Sequence, residues 1–150
     1  MNRTNPLRVV DAAESYIGSP FRHHFKPFDL CEHGSKTINE CMNAGMDESG
    51  FDCSGLVIAS VCKAVGVGPE RWERQYRHFG QLIDLQQMVA PQPGDAVILS
   101  YYDHIGIMSD KNQLIHASSR EPMVVEASPL EGSYASFGSI PLSKLIEFIG

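Results

Sequence analysis

The sequence predicts an α+β domain, and two observations carry that expectation. Apolar residues recur at helical spacing in the first half of the chain, whereas after Pro93 short Ile- and Val-rich segments follow one another, separated by turn residues. With 150 residues the chain is most simply one domain, 1–150, that buries about 70% of its unfolded surface.

Asn5-Pro6 supplies a helix cap and first position, and Leu7, Val10, Ala13 and Ile17 then recur at near-helical spacing until Gly18 and Pro20 stop the helix. Residues 21–50 are polar, rich in His, Gly and Asn, and follow neither period, which predicts a long loop insertion at about 22–50 holding at most a short helical turn. "SGLVIASVCKAV", 54–65, is apolar on nearly every side, as a helix at the centre of a domain must be, and "GVGP" ends it. Trp72, Tyr76 and Phe79 then follow a helical spacing in a charged segment, suggesting one or two short surface helices. Beyond "APQPGD", the segments "AVILSYY", "HIGIMSD", "QLIHASS", "MVVEAS" and "KLIEFIG" read as strands of an antiparallel meander packed on the central helix. Asp95 in "PGD" reads as a turn residue.

A hydrophobic content of 43%, a charged content of 20% and a net charge of −6 argue against disorder and against an unassisted nucleic-acid or anionic-membrane surface. The N-terminus lacks the apolar core of a secretory signal and no run has the length of a membrane span, so a cytoplasmic location, or export by a non-classical route such as injection or phage delivery, is expected. Cysteines 31, 41, 53 and 62 contain no C-x-x-C pair and indicate no disulfide framework. His23, His24, Cys31, His33 and Cys41 crowd one loop, but their spacing matches no common zinc motif, and no metal or other cofactor is expected. Cys62, within the buried helix, reads as a packing residue.

Cys53 is different, because it stands where the central helix begins. Unpaired N–H groups and the helix dipole favour a thiolate there, and the thiolate is the nucleophilic form. Ser54 and Gly55 let a substrate approach the backbone, where the Cys53 N–H can help hold an oxyanion. His104 opens "HIGIM", and His116 lies 12 residues later in "LIHAS". A hairpin loop of Ser109, Asp110 and Lys111 would set the two directly opposite each other on one face, with Cβ atoms ~5 Å apart; other loops make them diagonal neighbours or separate their faces. Taken singly, Cys53 is more often a packing residue and each histidine a hydrogen-bonded structural one. Together they compose a nucleophile, a base and an orienting group.

At these residues the sequence resembles the NlpC/p60 family of cysteine peptidases, whose domain is a circumscribed papain-like fold. "FDCSGLV" looks like the family's nucleophile motif, "PGDAVIL" the motif leading into its sheet, "HIGIMSD" its base motif and "LIHAS" its third catalytic motif, while "AAESYIGSPFRHH" resembles its opening motif. The resemblance implies an antiparallel sheet packed on a central helix that carries the nucleophile at its N-terminus. It makes Cys53 the nucleophile, His104 the general base and His116 the orienting residue, and it puts Asp52, Ser54 and Phe21 at positions lining the substrate cleft. The implied reaction is hydrolysis of amide bonds in peptidoglycan stem peptides, of the D-γ-glutamyl–diamino acid endopeptidase type.

Two departures from the family pattern stand out. Phe21 occupies a position where tyrosine is common, and phenylalanine has no hydroxyl to donate. The loop before Cys53 is longer than usual and is expected to wall the cleft and narrow substrate choice. The alternatives are a non-catalytic module binding peptidoglycan or a partner on the same fold, and an amidase acting on another amide or isopeptide. Expected partners are a stem peptide or muropeptide and, for an injected or phage-borne enzyme, an immunity protein or phage-structure component.

Overall fold

The fold is described from a computed structural model, which defines residues 5–19, 53–66, 87, 90–99, 104–118, 122–129 and 137–149. Three helices, α1 (Pro6–Ser15), α2 (Cys53–Val65) and α3 (Leu142–Ile149), accompany five strands, β1 (Ala96–Leu99), β2 (His104–Met108), β3 (Gln113–Ala117), β4 (Val125–Pro129) and β5 (Phe137–Ile140). The strands form one sheet in the order β4-β3-β2-β1-β5, with every adjacent pair antiparallel. The expected α+β architecture is present: a meander of four strands, joined at the β1 edge by β5, with α2 packed against β2 and β3.

Asn5 caps α1 by accepting the Leu7 N–H on its side chain at 2.9 Å, and Pro6 occupies the first turn, where its missing N–H costs nothing. The buried face of α1 is turned from the expected one. Val9, Val10, Ala12, Ala13 and Tyr16 face the core, whereas Leu7 and Ile17 are 46% and 48% exposed. Contact with α2 selects the Val9–Ala13–Tyr16 stripe, and Lys63 of α2 reaches back to it, donating to Ser15 Oγ at 3.1 Å with its ammonium 4.9 Å from the centre of the Tyr16 ring.

Helix α2 is apolar on nearly every side because α1, β2, β3 and α3 pack around it. Leu56, Val57, Ala59, Val61 and Cys62 are all inaccessible, so Cys62 is the packing residue expected. Ser60, also buried, satisfies its hydroxyl by donating to Leu56 O at 2.8 Å. The helix ends with the Gly66 N–H donating to Cys62 O at 2.8 Å. No helix among the described residues is long and apolar enough to cross a membrane.

The sheet obeys the two-residue period. Ala96, Ile98, Ile105, Ile107, Ile115 and Ala117 fill the main core with the helices, each isoleucine worth ~1.5–3 kcal/mol by burial. The alternate residues Val97, Met108 and Leu114 form a smaller apolar cluster of their own.

The part of "KLIEFIG" up to Ile149 is helical, not a strand. Leu142, Leu145, Ile146 and Ile149 fall at the i, i+3, i+4, i+7 positions of α3, a period that a short apolar run disguises; Leu142 and Leu145 are buried. The fifth strand is instead "FGSI", paired Ala96↔Ile140 to Leu99↔Phe137. Asp95, read as a turn residue, joins these parts. Its Oδ2 accepts from the Gln92 N–H at 2.9 Å and its Oδ1 from the Leu142 N–H at 2.8 Å, so one buried carboxylate closes the turn before β1 and caps α3. Gly94 in that turn has φ +89° and an added Cβ there would lie 2.9 Å from Pro6 O, so both conformation and closeness to α1 require glycine.

Candidate active site

Cys53 is the first residue of α2 and is half-buried, packed against the main core. The first turn of α2 contains no acidic side chain to oppose an anion. Its neighbour Asp52, the side chain of Ser54, Phe21, the loop at 22–50 with its His and Cys cluster, and the segment of Trp72 lie outside the described residues.

The two histidines are brought together, though by a different register from the one expected. Ile107 faces Ile115 and Met108 faces Leu114, and the Ser109 N–H donates to Gln113 O at 2.8 Å. The loop is therefore Asp110, Lys111 and Asn112, one residue later than anticipated. Asn112, at φ 58°, takes the left-handed position that ends such three-residue turns, and Ser109 Oγ accepts from the N–H groups of Lys111 and Gln113, each at 3.1 Å. Continued along the strands, this register sets His116 opposite Gly106 and makes His104 its diagonal neighbour.

The rings meet because nothing lies between them. His104 Nε2 and His116 Nδ1 are 2.9 Å apart, with ring centroids at 5.0 Å and planes at 87°. Gly106 is the reason for this proximity: a Cβ there would come within 2.7 Å of Ile115 O and 2.8 Å of Leu114 Cδ1, forcing β2 from β3. Alternation with Ile105, Ile107, Ile115 and Ala117 sets both histidines on the face that carries Met108 and Leu114.

The contacts continue onto β4. His116 pairs across the ladder with Glu126, and its Nε2 lies 3.1 Å from Ser128 Oγ and 3.8 Å from Glu126 Oε1. Neither Glu126 nor Ser128 was singled out in the sequence. The signal was present in the alternation of "VEASP", but it becomes legible only once the strand facing "LIHAS" is known.

Burial lowers the pKa of His104 from 6.5 to about 4, with a further lowering from His116. Burial also lowers that of His116, while the Glu126 carboxylate acts in the opposite sense. Both rings are thus held neutral near neutral pH, one nitrogen of each accepting and the other donating. With His104 Nε2 engaged by His116, Nδ1 is the nitrogen left for a proton coming from elsewhere.

The NlpC/P60 family model matches residues 42–137. The probable endopeptidase NlpC of Escherichia coli K12 is 27% identical over 114 residues, covering 73% of this chain and 59% of that protein. The chain spans about half the length of the first two curated relatives it matches. Among solved structures, the peptidoglycan hydrolase RipB of Mycobacterium tuberculosis superposes with a TM-score of 0.62 at 23% identity, covering 95% of this chain and 68% of that one. RipD of the same organism, described as a non-catalytic NlpC/p60 domain protein adapted to peptidoglycan binding, superposes at 0.59 with 20% identity, covering 93% of this chain and 98% of that one.

Proposed function

Because this chain belongs to the NlpC/P60 family, we propose that it is a cysteine peptidase that hydrolyses amide bonds of peptidoglycan stem peptides, of the D-γ-glutamyl–diamino acid type, with Cys53, His104 and His116 as its triad. The observation that carries the reading is the 2.9 Å contact between His104 Nε2 and His116 Nδ1, on strands against which the helix beginning at Cys53 is packed. The relatives described as an endopeptidase and a peptidoglycan hydrolase support the substrate class.

The reading requires the Cys53 thiol to meet His104 Nδ1 at the rim of the sheet, where α2 and β2 each begin. His104 Nδ1 takes the thiol proton, and Cys53 Sγ attacks the amide carbonyl carbon, giving a tetrahedral oxyanion that the α2 N-terminus stabilises. The proton on His104 then passes to the leaving amine, the C–N bond breaks, and a thioester remains. A water molecule, deprotonated by His104, attacks the thioester; the acid leaves and the thiol is restored. Burial suits His104 to this work: it arrives unprotonated, and the thiolate beside it supplies the negative charge that makes protonation favourable.

Incubation with defined muropeptides, read by mass spectrometry against Cys53→Ala, tests the proposal. New amine and carboxyl termini at a γ-glutamyl bond are expected from the native chain alone. Cleavage that persists in Cys53→Ala would refute it.

The likeness to RipD favours one second reading, a binding module without turnover. Iodoacetamide labelling separates the two. An activated Cys53 reacts with a rate that persists well below neutral pH, whereas a Cys53 rate that rises only near the ordinary thiol pKa favours the module.

A further inference from the structure

The tautomer of His116 decides whether His104 is a base at all. If His116 carries its proton on Nε2, then Nδ1 accepts from His104 Nε2–H and His104 Nδ1 presents a lone pair. If His116 carries it on Nδ1, that N–H donates to His104 Nε2, and His104 Nδ1 bears a proton and cannot accept another. A serine alone does not choose between these, because its hydroxyl both donates and accepts.

We propose that Ser128 and Glu126 on β4 are positioning residues that hold His116 as the Nε2–H tautomer, extending the histidine pair into an oriented chain across three strands. Ser128 Oγ, 3.1 Å from Nε2, provides the acceptor. The Glu126 carboxylate, 3.8 Å from the same nitrogen, lies beyond a good hydrogen bond but favours a donor there over a lone pair. Register makes the arrangement a property of the sheet: Glu126 faces His116 directly, Leu114 faces Ser128, and residues 126 and 128 share a face. Among the described residues, the titratable or charged groups facing His116 are His104 from β2 and Glu126 from β4. Glu126 also opposes loss of the proton from the histidine pair once Cys53 is a thiolate.

This inference takes its catalytic meaning from the cysteine-peptidase reading, but its first test does not depend on turnover. Long-range nitrogen–proton correlation spectra of the imidazoles in the full chain, recorded above pH 7, report each tautomer. In the native protein, His116 is expected to show a pyrrole-type Nε2 and a pyridine-type Nδ1. In a Ser128→Ala, Glu126→Gln double variant this pattern should give way to a mixture. A pyrrole-type Nδ1 in the native protein, or an unchanged pattern in the double variant, overturns the proposal.

Kinetics supply the second readout. Ser128→Ala should lower kcat by roughly 3–10-fold with KM unchanged, because the proton path survives and only its bias is lost, and Ser128→Thr should restore it. Glu126→Gln should move the alkaline limb of kcat/KM to lower pH by several tenths of a unit, the imidazolium having lost a stabilising charge. A uniform loss with an unmoved limb and no rescue would mark these residues as structural only. If no peptide is cleaved, the spectra still decide the tautomer; if the tautomer is as expected but Cys53→Ala still cleaves, the cysteine reading alone fails.

Discussion

Two polar clusters, one buried around Asp95 and one half-buried around His104 and His116, sit on the same sheet and behave differently. Asp95 directs both carboxylate oxygens at backbone N–H groups, one in its own turn and one at the start of α3. His104 and His116 direct their nitrogens at side chains, His104 Nε2 at His116 Nδ1 and His116 Nε2 at Ser128 Oγ. A buried group saturated by backbone holds the fold together. One linked to other side chains rather than to backbone can change its protonation without unmaking a strand, and that freedom is what proton transfer needs.

Substitutions should separate these two roles, and the largest effect is expected at the proposed triad. Cys53→Ala and His104→Ala are each expected to lower kcat by about 10³-fold or more while urea unfolding changes little. A similar loss of stability in both would place the histidine in the structural class. His116→Ala should cost roughly 10–10²-fold in kcat, since it removes orientation rather than the proton acceptor.

Asp95→Asn gives the converse pattern. An amide offers one oxygen where two N–H groups converge, so its NH₂ must face a donor, and a loss of about 1–3 kcal/mol is expected in urea unfolding with kcat per folded molecule unchanged. Burial raises the Asp95 carboxyl above the usual carboxylate range, partly offset by the hydrogen bonds from Gln92 and Leu142. An acid with a raised folded pKa makes stability fall as pH rises through the window above its unfolded pKa.

The histidines have the opposite sign, and this is the smallest effect. A histidine held unprotonated by the fold contributes stability that is present above its unfolded pKa, near 6.5, and is lost as pH falls through its folded pKa, about 4 for His104. Acid unfolding should steepen across that window by at most about 1.4 kcal/mol per pH unit per histidine, and His104→Ala should flatten it. Gly106→Ala crosses the boundary between the clusters: prising β2 from β3 should reduce both thermal stability and kcat.

Much of this was legible in the sequence, where its signals were local. The Asn5-Pro6 cap, the central helix apolar on nearly every side, the four strands of the meander and the shared face of the two histidines all follow from propensity and period. What was not legible depended on partners distant in the chain or, in one turn, on which residues make the better loop. "KLIEFIG" is short enough to satisfy either period, and its helical state is settled by the Asp95 cap and by packing on α2. The turn was displaced by one residue because Asn112 tolerates positive φ and Ser109 gathers two N–H groups, a preference that outweighs simple counting. Glu126 and Ser128 acquire meaning only from the register of β3 with β4.

The joining of β5 to β1 has a consequence for how the molecule assembles. Strands β1 to β4 pair with their sequence neighbours, so the part of the sheet that carries the histidines needs only short searches along the chain. Pairing Ala96 with Ile140, and drawing the Leu142 N–H onto Asp95, instead closes a ring whose ends are 47 residues apart in the Asp95–Leu142 bond. The entropy of that closure must be met before α3 can bury its leucines. Refolding is therefore expected to protect the amides of β2 and β3 before those of β5, leaving the histidine-bearing half of the sheet ordered while its far edge is still open.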